Sequence, residues 1–351
     1  TPQGENGEAD ISAVKAVAEQ IGKNLNNYKV ISTKSTVPIG TGKMIQKIID
    51  EDNLDKIKYD YCSNPEFLRE GAAVRDFLHP DRIVLGATSG KAFEYLKDVY
   101  RPLYINETPM VHTTVETAEM IKYAANAFLA IKISYINEVA NLCDEIGADV
   151  HVVAKTLGMD GRISPKFLHP GPGFGGSCFP KDTKALVEIA KNYKINMAVV
   201  TAAIEANNFQ RKRMLNKLNE LLDNNLKGKV IAILGLAFKQ ETDDVRESPA
   251  IDIISGIHDK GGIIKAYDPI ANDSMKEIFP ALDFKSNWHK AVEGSDAAVI
   301  MTEWNEFRGM DLEKLKNLMS QPVVLDTRNI LNITELKRLE FKYDNVGRRV
   351  A

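Results

Sequence analysis

Cysteine is scarce: three in 351 residues, Cys62, Cys143 and Cys178, with no Cys-x-x-Cys pair. That excludes a disulfide framework and a thiolate metal cluster, and it suits a reducing cytoplasm. Histidine is equally thin, six residues without HExxH-type spacing, so no metal site is expected. Long apolar runs are lacking too. The longest, around 230–238, is strand-sized, and no leader with charged, apolar and small-residue regions is seen, so no membrane partner is expected. Nor does one sign of charge dominate. With 45 basic against 48 acidic residues, interspersed, the net charge is −3, which provides no basic patch for nucleic acid and no polybasic helix for a membrane surface. What remains, 44% hydrophobic and 26% charged residues, is the composition of an ordinary globular chain with room for two or three domains and a small-molecule partner.

The densest chemistry lies at 169–186, HPGPGFGGSCFPKDTKAL, where four glycines, three prolines, one cysteine and a Lys-Asp pair precede an apolar helical pattern. Gly171, Gly173, Gly175 and Gly176 would let backbone approach a ligand without Cβ interference, and Pro180 suits the first turn of a helix beginning near Lys181. Cys178 would then stand at a helix N-terminus, where the dipole and Lys181 favour the thiolate that a covalent nucleophile needs. An isolated cysteine is more often a small buried residue, but a glycine-rich polar turn is a poor place to bury one. Asp182 supplies a general base on the same helical turn. Gly171, Gly173 and Gly176 also spell Gly-x-Gly-x-x-Gly, yet no strand precedes them, so they are not read as a nucleotide loop.

In chain order, a polar loop over residues 1–10 leads to Asp10 as N-cap of a helix with Ile11, Val14, Ala18 and Ile21 on one face. A strand at Tyr28–Thr33, a helix from Thr41 to Glu51 and a strand at Tyr59–Ser63 follow, an alternation that argues for a parallel α/β sheet. Glu66 and Glu70 are spaced to share one side of a helix start, as solvated charges or as site residues. Thr113 and Glu116 read as a capping box opening a long helix that runs to Gly147. Lys122 and Asn126, i and i+4 on it, are either a solvated pair or, where that face meets the Cys178 loop, donors to a developing oxyanion. Helices at 183–192 and 197–222 complete a helical middle section, whose apolar run at 198–206 suits a dimer interface or a buried core helix. Strands at Val230–Leu234, Ile263–Tyr267, Ala297–Met301 and Val323–Asp326, with Ser248-Pro249 capping a helix over 251–259, make a second α/β domain. A final helix and a loosely ordered end are expected after Arg328. The domain boundaries are therefore 1–112, 113–226 and 227–351.

GFGGSCFPKD, together with STKSTVPIGTG at 32–42, SNPEFLREGAAVRDFLHPDRIVLG at 63–86 and AEMIKYAANAFLA at 118–130, resembles the nucleotide-sugar dehydrogenases. Within that family Phe179 and the GGSC string are nearest its UDP-glucose-oxidising branch; the GDP-mannose and N-acetylated UDP-sugar branches are the alternatives. The resemblance implies an α/β protein of two Rossmann-like parallel-sheet domains joined by a long-helix central domain, acting on UDP-glucose with NAD, as a homodimer. It implies catalytic roles for Cys178, Lys122, Asp182, Asn126, Glu66 and Thr36. It implies substrate contacts at Glu66, Phe67, Leu68, Arg69, Lys122, Asn126, Arg162 (reaching the neighbouring subunit), Phe167, Phe174, Gly175, Lys239 and Arg328, and cofactor contacts at Thr36, Glu70, Lys181 and Arg246. The family's glycine fingerprint after a first strand does not occur here. The expectation is therefore a first domain that lacks its initial βαβ half, and weak or absent turnover, leaving a non-catalytic nucleotide-sugar-binding fragment as the rival reading.

Overall fold

Two short runs rich in β-branched and aromatic residues pair as parallel strands, β1 (Lys29–Thr33) and β2 (Tyr59–Ser63), with Lys29 opposite Tyr59 and Thr33 opposite Ser63. The computed structural model describes residues 1, 2, 4, 9–106 and 108–348, with backbone only at 104–106, so half of the polar loop expected at 1–10 lies outside the described residues. The chain divides into two units, Thr1–Phe128 with Lys181–Ala198, and Leu129–Pro180 with Val199–Ala351.

In the first unit, α1 (Ser12–Asn24) and α2 (Thr41–Asp52) bury Ala18, Ile45 and Ile49 against Ile31 and Tyr61 of the sheet. The N-cap of α1 is Ile11, not Asp10, although Asp10 Oδ1 still accepts the Ser12 N–H at 2.9 Å. After β2 come α3 (Ala73–Leu78), β3 (Ile83–Ala87), α4 (Gly90–Tyr100), a 3-10 turn (Arg101–Asn106) and β4 (Met110–Thr113). The sheet order is β1-β2-β3-β4, and β3 runs antiparallel to β2, pairing Cys62 with Ala87 and Ser63 with Gly86. An all-parallel first sheet was expected; the short connection through α3 instead turns the chain back.

Helix α5 (Val115–Ile146) begins one residue later than the expected capping box: Thr114, not Thr113, caps it through the Thr117 N–H. It ends where Gly147 takes a φ of +72°, the left-handed C-terminal conformation that glycine adopts without strain.

In the second unit, α6 (Val150–Met159) follows, then the glycine-rich loop and the head of α7 (Phe179–Asn192), and after it α8 (Ala198–Leu221). The second sheet is parallel throughout, in the order β10-β9-β8-β5-β6-β7. Its strands are β5 (Val230–Leu234), β6 (Ile263–Tyr267), β7 (Asp283–Phe284), β8 (Ala297–Ile300), β9 (Val323–Asp326) and β10 (Lys342–Asn345). Helices α9 (Pro249–Asp259), α10 (Asn272–Ile278), α11 (Trp288–Val292), α12 (Asn305–Arg308), α13 (Leu312–Leu318) and α14 (Ile333–Arg338) connect them. Successive residues of the central strands enter different cores: Ile231, Ile233, Val299 and Leu325 one, Ala232, Leu234, Ala298 and Ile300 the other. Ser248 Oγ accepts from Ala250 N with Pro249 at the first helical position, as expected.

As far as Arg348 the expected loose end is instead structure, and residues 349–351 lie outside the described residues. After α14, β10 adds to β9, and the segment behind it is tied down by Lys217 on Asp344, by Gly347 N–H on Asp144 and by Arg348 on Asp149. Gly347 lies so close to α5 that a Cβ there would stand 2.7 Å from Ala140 Cα.

Candidate active site

In an open parallel sheet, ligands sit beyond the carboxyl ends of the strands where the order reverses, here between β5 and β8. Three loops of the second unit meet there. Gly235 opens the first, with φ +95° and no room for a Cβ beside Thr302, and Phe238 and Lys239 follow it. Asp268, buried at the end of β6, holds this loop by accepting from Leu236 N at 2.7 Å, Ala237 N at 3.2 Å and Trp304 Nε1 at 3.1 Å. Arg328 reaches across from the end of β9, donating from Nε to Met301 O at 2.7 Å and from a terminal nitrogen to Phe238 O at 2.9 Å, with Glu303 Oε2 at 3.2 Å. Asp326 Oδ1 receives the Arg328 N–H, so the strand end sets the arginine's backbone.

The glycine-rich loop packs on these elements. A Cβ on Gly175 would lie 2.3 Å from Glu247 O, and one on Gly176 would lie 2.8 Å from the Phe238 ring. The small size of these residues thus serves contact within the protein. With no ladder of its own, the loop has its backbone satisfied by side chains. Asn137 Oδ1 accepts from Gly171 N and Gln210 Nε2 donates to Gly171 O, both at 2.8 Å. Asn207 accepts from Phe174 N at 2.7 Å and donates to Phe174 O at 3.1 Å, and Arg211 donates to Phe174 O and to Glu247 O. Sequence reasoning did not single out these four residues. Asn207, Gln210 and Arg211 stand at helical spacing on α8 and are all buried, on a stretch too polar in sequence for that burial to be read from it.

Cys178 is exposed and lies directly before α7, with Ser177 Oγ 3.7 Å from its Sγ. Phe179 packs edge-on to Phe167 and Phe174 at 6.0 and 6.1 Å. Arg246 and Arg162 are not poised alone: Arg246 forks onto Asp244, Arg162 onto Asp160, and both are exposed.

The first unit gathers a second set of groups. Lys122 is buried and donates from Nζ to Glu66 O at 2.6 Å and Oε1 at 3.3 Å, while Glu66 Oε2 accepts from Leu68 N at 2.6 Å. Asn126, one turn on, donates to Asp182 Oδ2 at 2.6 Å, and Lys181 pairs with the other oxygen. Lys181 is thus engaged by Asp182. No helix links Glu66 to Glu70, since α3 starts only at Ala73, so their spacing does not place them on one helical face. Phe67 stacks under Arg82, and Arg69 is exposed and forked onto Asp76, not turned inward.

A dinucleotide would meet two groups at the same end of this sheet, the N-terminus of α2 and the loop before it. The N-terminus of α2 is filled: Glu119, buried, accepts from Gly40 N at 2.6 Å and Gly42 N at 2.8 Å, and burial raises its carboxyl above the ordinary range. In the neighbouring loop Thr36 is half-buried, its hydroxyl without a partner among the described residues. The Thr36 hydroxyl is therefore available to NAD, whereas the α2 amides are already taken by Glu119.

Comparison with known proteins accounts for this arrangement. The NAD binding domain of the UDP-glucose/GDP-mannose dehydrogenase family matches residues 1–104, its central domain residues 116–209 and its UDP binding domain residues 232–333. The first of these matches puts an NAD-binding domain in the chain and does not support the expected loss of its first half. UDP-glucose 6-dehydrogenase of Rhizobium meliloti is 46% identical over 98% of this chain and 79% of its own length. The TuaD enzyme of Bacillus subtilis, another UDP-glucose 6-dehydrogenase, is 46% identical over 99% of this chain and 75% of its own length. The structure of a UDP-glucose dehydrogenase from Pyrobaculum islandicum superposes with a TM-score of 0.90 at 33% identity, covering all of this chain and 78% of that one. The chain belongs to the UDP-glucose/GDP-mannose dehydrogenase family.

Proposed function

We propose that this chain oxidises the C6 alcohol of UDP-glucose to a carboxylate in two steps, consuming two NAD⁺ and one water. The observation that carries the reading is an exposed cysteine directly ahead of a helix whose first turn holds a buried, doubly hydrogen-bonded carboxylate, Asp182. Two oxidations at one carbon require that the aldehyde stay bound. Cys178 Sγ adds to the aldehyde carbon and the proton ends on its oxygen; loss of the second hydride leaves a thioester, which water cleaves to the carboxylate and the thiol. NAD supplies the hydride acceptor when bound.

The chain's own groups handle protons and charge. Lys122 spends two donors on Glu66 and keeps a third, which with the Asn126 amide stabilises the oxyanions. Asp182 takes the proton of the attacking water, positioned by Glu66 and Thr36. Phe67, Leu68, Arg69, Phe167, Phe174, Gly175, Lys239 and Arg328 contact the sugar nucleotide, and Glu70, Lys181 and Arg246 lie toward the cofactor. Arg162 serves a neighbouring subunit's site. A homodimer covers the exposed Tyr135, Leu142 and Ile146 of α5 and Phe209 of α8. The parts act as 1–112, 113–226 and 227–351, in the cytoplasm.

UDP-glucose is favoured over the family's other sugars by relatives at 46% identity, against 25% for the Pyrococcus horikoshii UDP-D-ManNAc dehydrogenase. The test is to supply NAD⁺ with UDP-glucose, and with GDP-mannose as control. Two NADH per UDP-glucuronate, from UDP-glucose alone, is the expected result. NADH from GDP-mannose alone would move the assignment, and none from either would remove it.

A further inference from the structure

The antiparallel strand β3 has a consequence for the site. Its register pairs Cys62 with Ala87 and Ser63 with Gly86, and continuing that pairing sets Arg82 opposite Phe67. A parallel β3 would have carried its first residues to the far edge of the sheet. Here the start of the strand returns to the carboxyl end of β2. The Arg82 guanidinium lies 3.8 Å over the centre of the Phe67 ring, and Lys122 Nζ is 5.3 Å from the same centre.

The two cations differ in what they have left to do. Lys122 has two of its three donors on Glu66. Arg82 is half-buried, and among the described residues no hydrogen bond or ion pair uses any of its five N–H donors. Of the unit's other arginines, Arg69 forks onto Asp76, while Arg75 and Arg101 are exposed rather than half-buried. A stacked guanidinium is rigid, keeps its charge and presents a planar fork, the arrangement that matches phosphate oxygens two at a time.

We propose that Arg82 is a ligand-binding residue that pairs with a diphosphate, a role that rests on the nucleotide-sugar reading above. The two cations are separated by no more than their two distances to the ring together. A hexose with its reacting carbon at Lys122 would direct its diphosphate toward Arg82. The nucleotide sugar is therefore the favoured source and the dinucleotide the second.

Arg82→Gln keeps a planar group over Phe67 and removes the charge; Arg82→Ala removes both. The 351-residue chain and both variants are titrated calorimetrically with UDP-glucose, NADH and inorganic diphosphate, and their thermal midpoints compared. The expected result is a Kd for UDP-glucose raised about tenfold or more in both variants, with NADH binding and the midpoint unchanged. Weakening confined to NADH keeps the diphosphate contact and assigns it to the dinucleotide. If the parent chain ignores UDP-glucose but binds diphosphate, and Arg82→Gln loses that, the contact stands and the functional reading falls. Arg82→Gln binding all three as the parent does overturns the proposal, as does an equal weakening of all three accompanied by a lowered midpoint.

Discussion

The two sheets of this chain make a useful pair. The second is parallel across six strands, and the edges of its crevice, Lys239, Thr302 and Arg328, all follow strand ends, as parallel topology requires. The first has four strands and reverses direction once, so its site draws both on the end of β2, with Glu66 and Phe67, and on the beginning of β3, with Arg82. A parallel sheet recruits function from one end of each strand, whereas a single reversal makes the opposite end available. The units also differ in how they hold their loops. In the second, neutral amides and Arg211 grip the glycine-rich backbone. In the first, a buried carboxylate, Glu119, grips two amides.

Substitutions can sharpen that contrast. Short of removing Cys178 itself, the largest effect is expected in the first unit, where Lys122→Met removes an oxyanion donor and should lower kcat about 10²–10³-fold with a smaller change in KM, measured by steady-state kinetics. Next, Gly175→Ala forces a methyl against the Glu247 carbonyl and should cost about 3 kcal/mol in denaturant unfolding, because backbone cannot yield as a side chain tip would. Asn207→Ala leaves the buried Phe174 N–H without its acceptor and should cost about 2 kcal/mol by the same measurement.

The Glu119 grip should be distinguished by pH. Its folded carboxyl lies above the unfolded value, so the native state holds the extra proton, and stability from this group is fully present below the unfolded value. It is lost as pH rises through the folded value. The stability of the parent chain relative to Glu119→Gln should therefore decline as pH is raised from the ordinary carboxylate range, and a difference independent of pH would contradict a buried titrating carboxyl. The smallest effect is expected at Asp10→Ala, under about 0.5 kcal/mol, since Asp10 is exposed and accepts one local bond.

Much of this was legible in the residues. In the second sheet the strands are short apolar runs buried on both faces, and Val230–Leu234, Ile263–Tyr267 and Val323–Asp326 were read with their observed bounds. Strand β10 was not, because KYDN is polar and pairs along one edge only. Strand direction was also hidden: nothing in the composition of residues 83–87 distinguishes a parallel from an antiparallel neighbour, and Arg82 went unnoticed for that reason. At the site, Lys122 with Asn126 and Cys178 with Asp182 were visible as local spacings. Asn137, Asn207 and Gln210 act on a loop more than thirty residues away along the chain, a relation that only the fold creates.

The central claim is that Cys178 retains the aldehyde between two oxidations. The most direct measurement is the ratio of NADH to UDP-glucuronate formed from UDP-glucose by the parent chain and by Cys178→Ser. The account predicts two NADH per uronate in the parent and, in the variant, uronate formation at least about a thousandfold slower. Uronate produced at an undiminished rate by Cys178→Ser would contradict it.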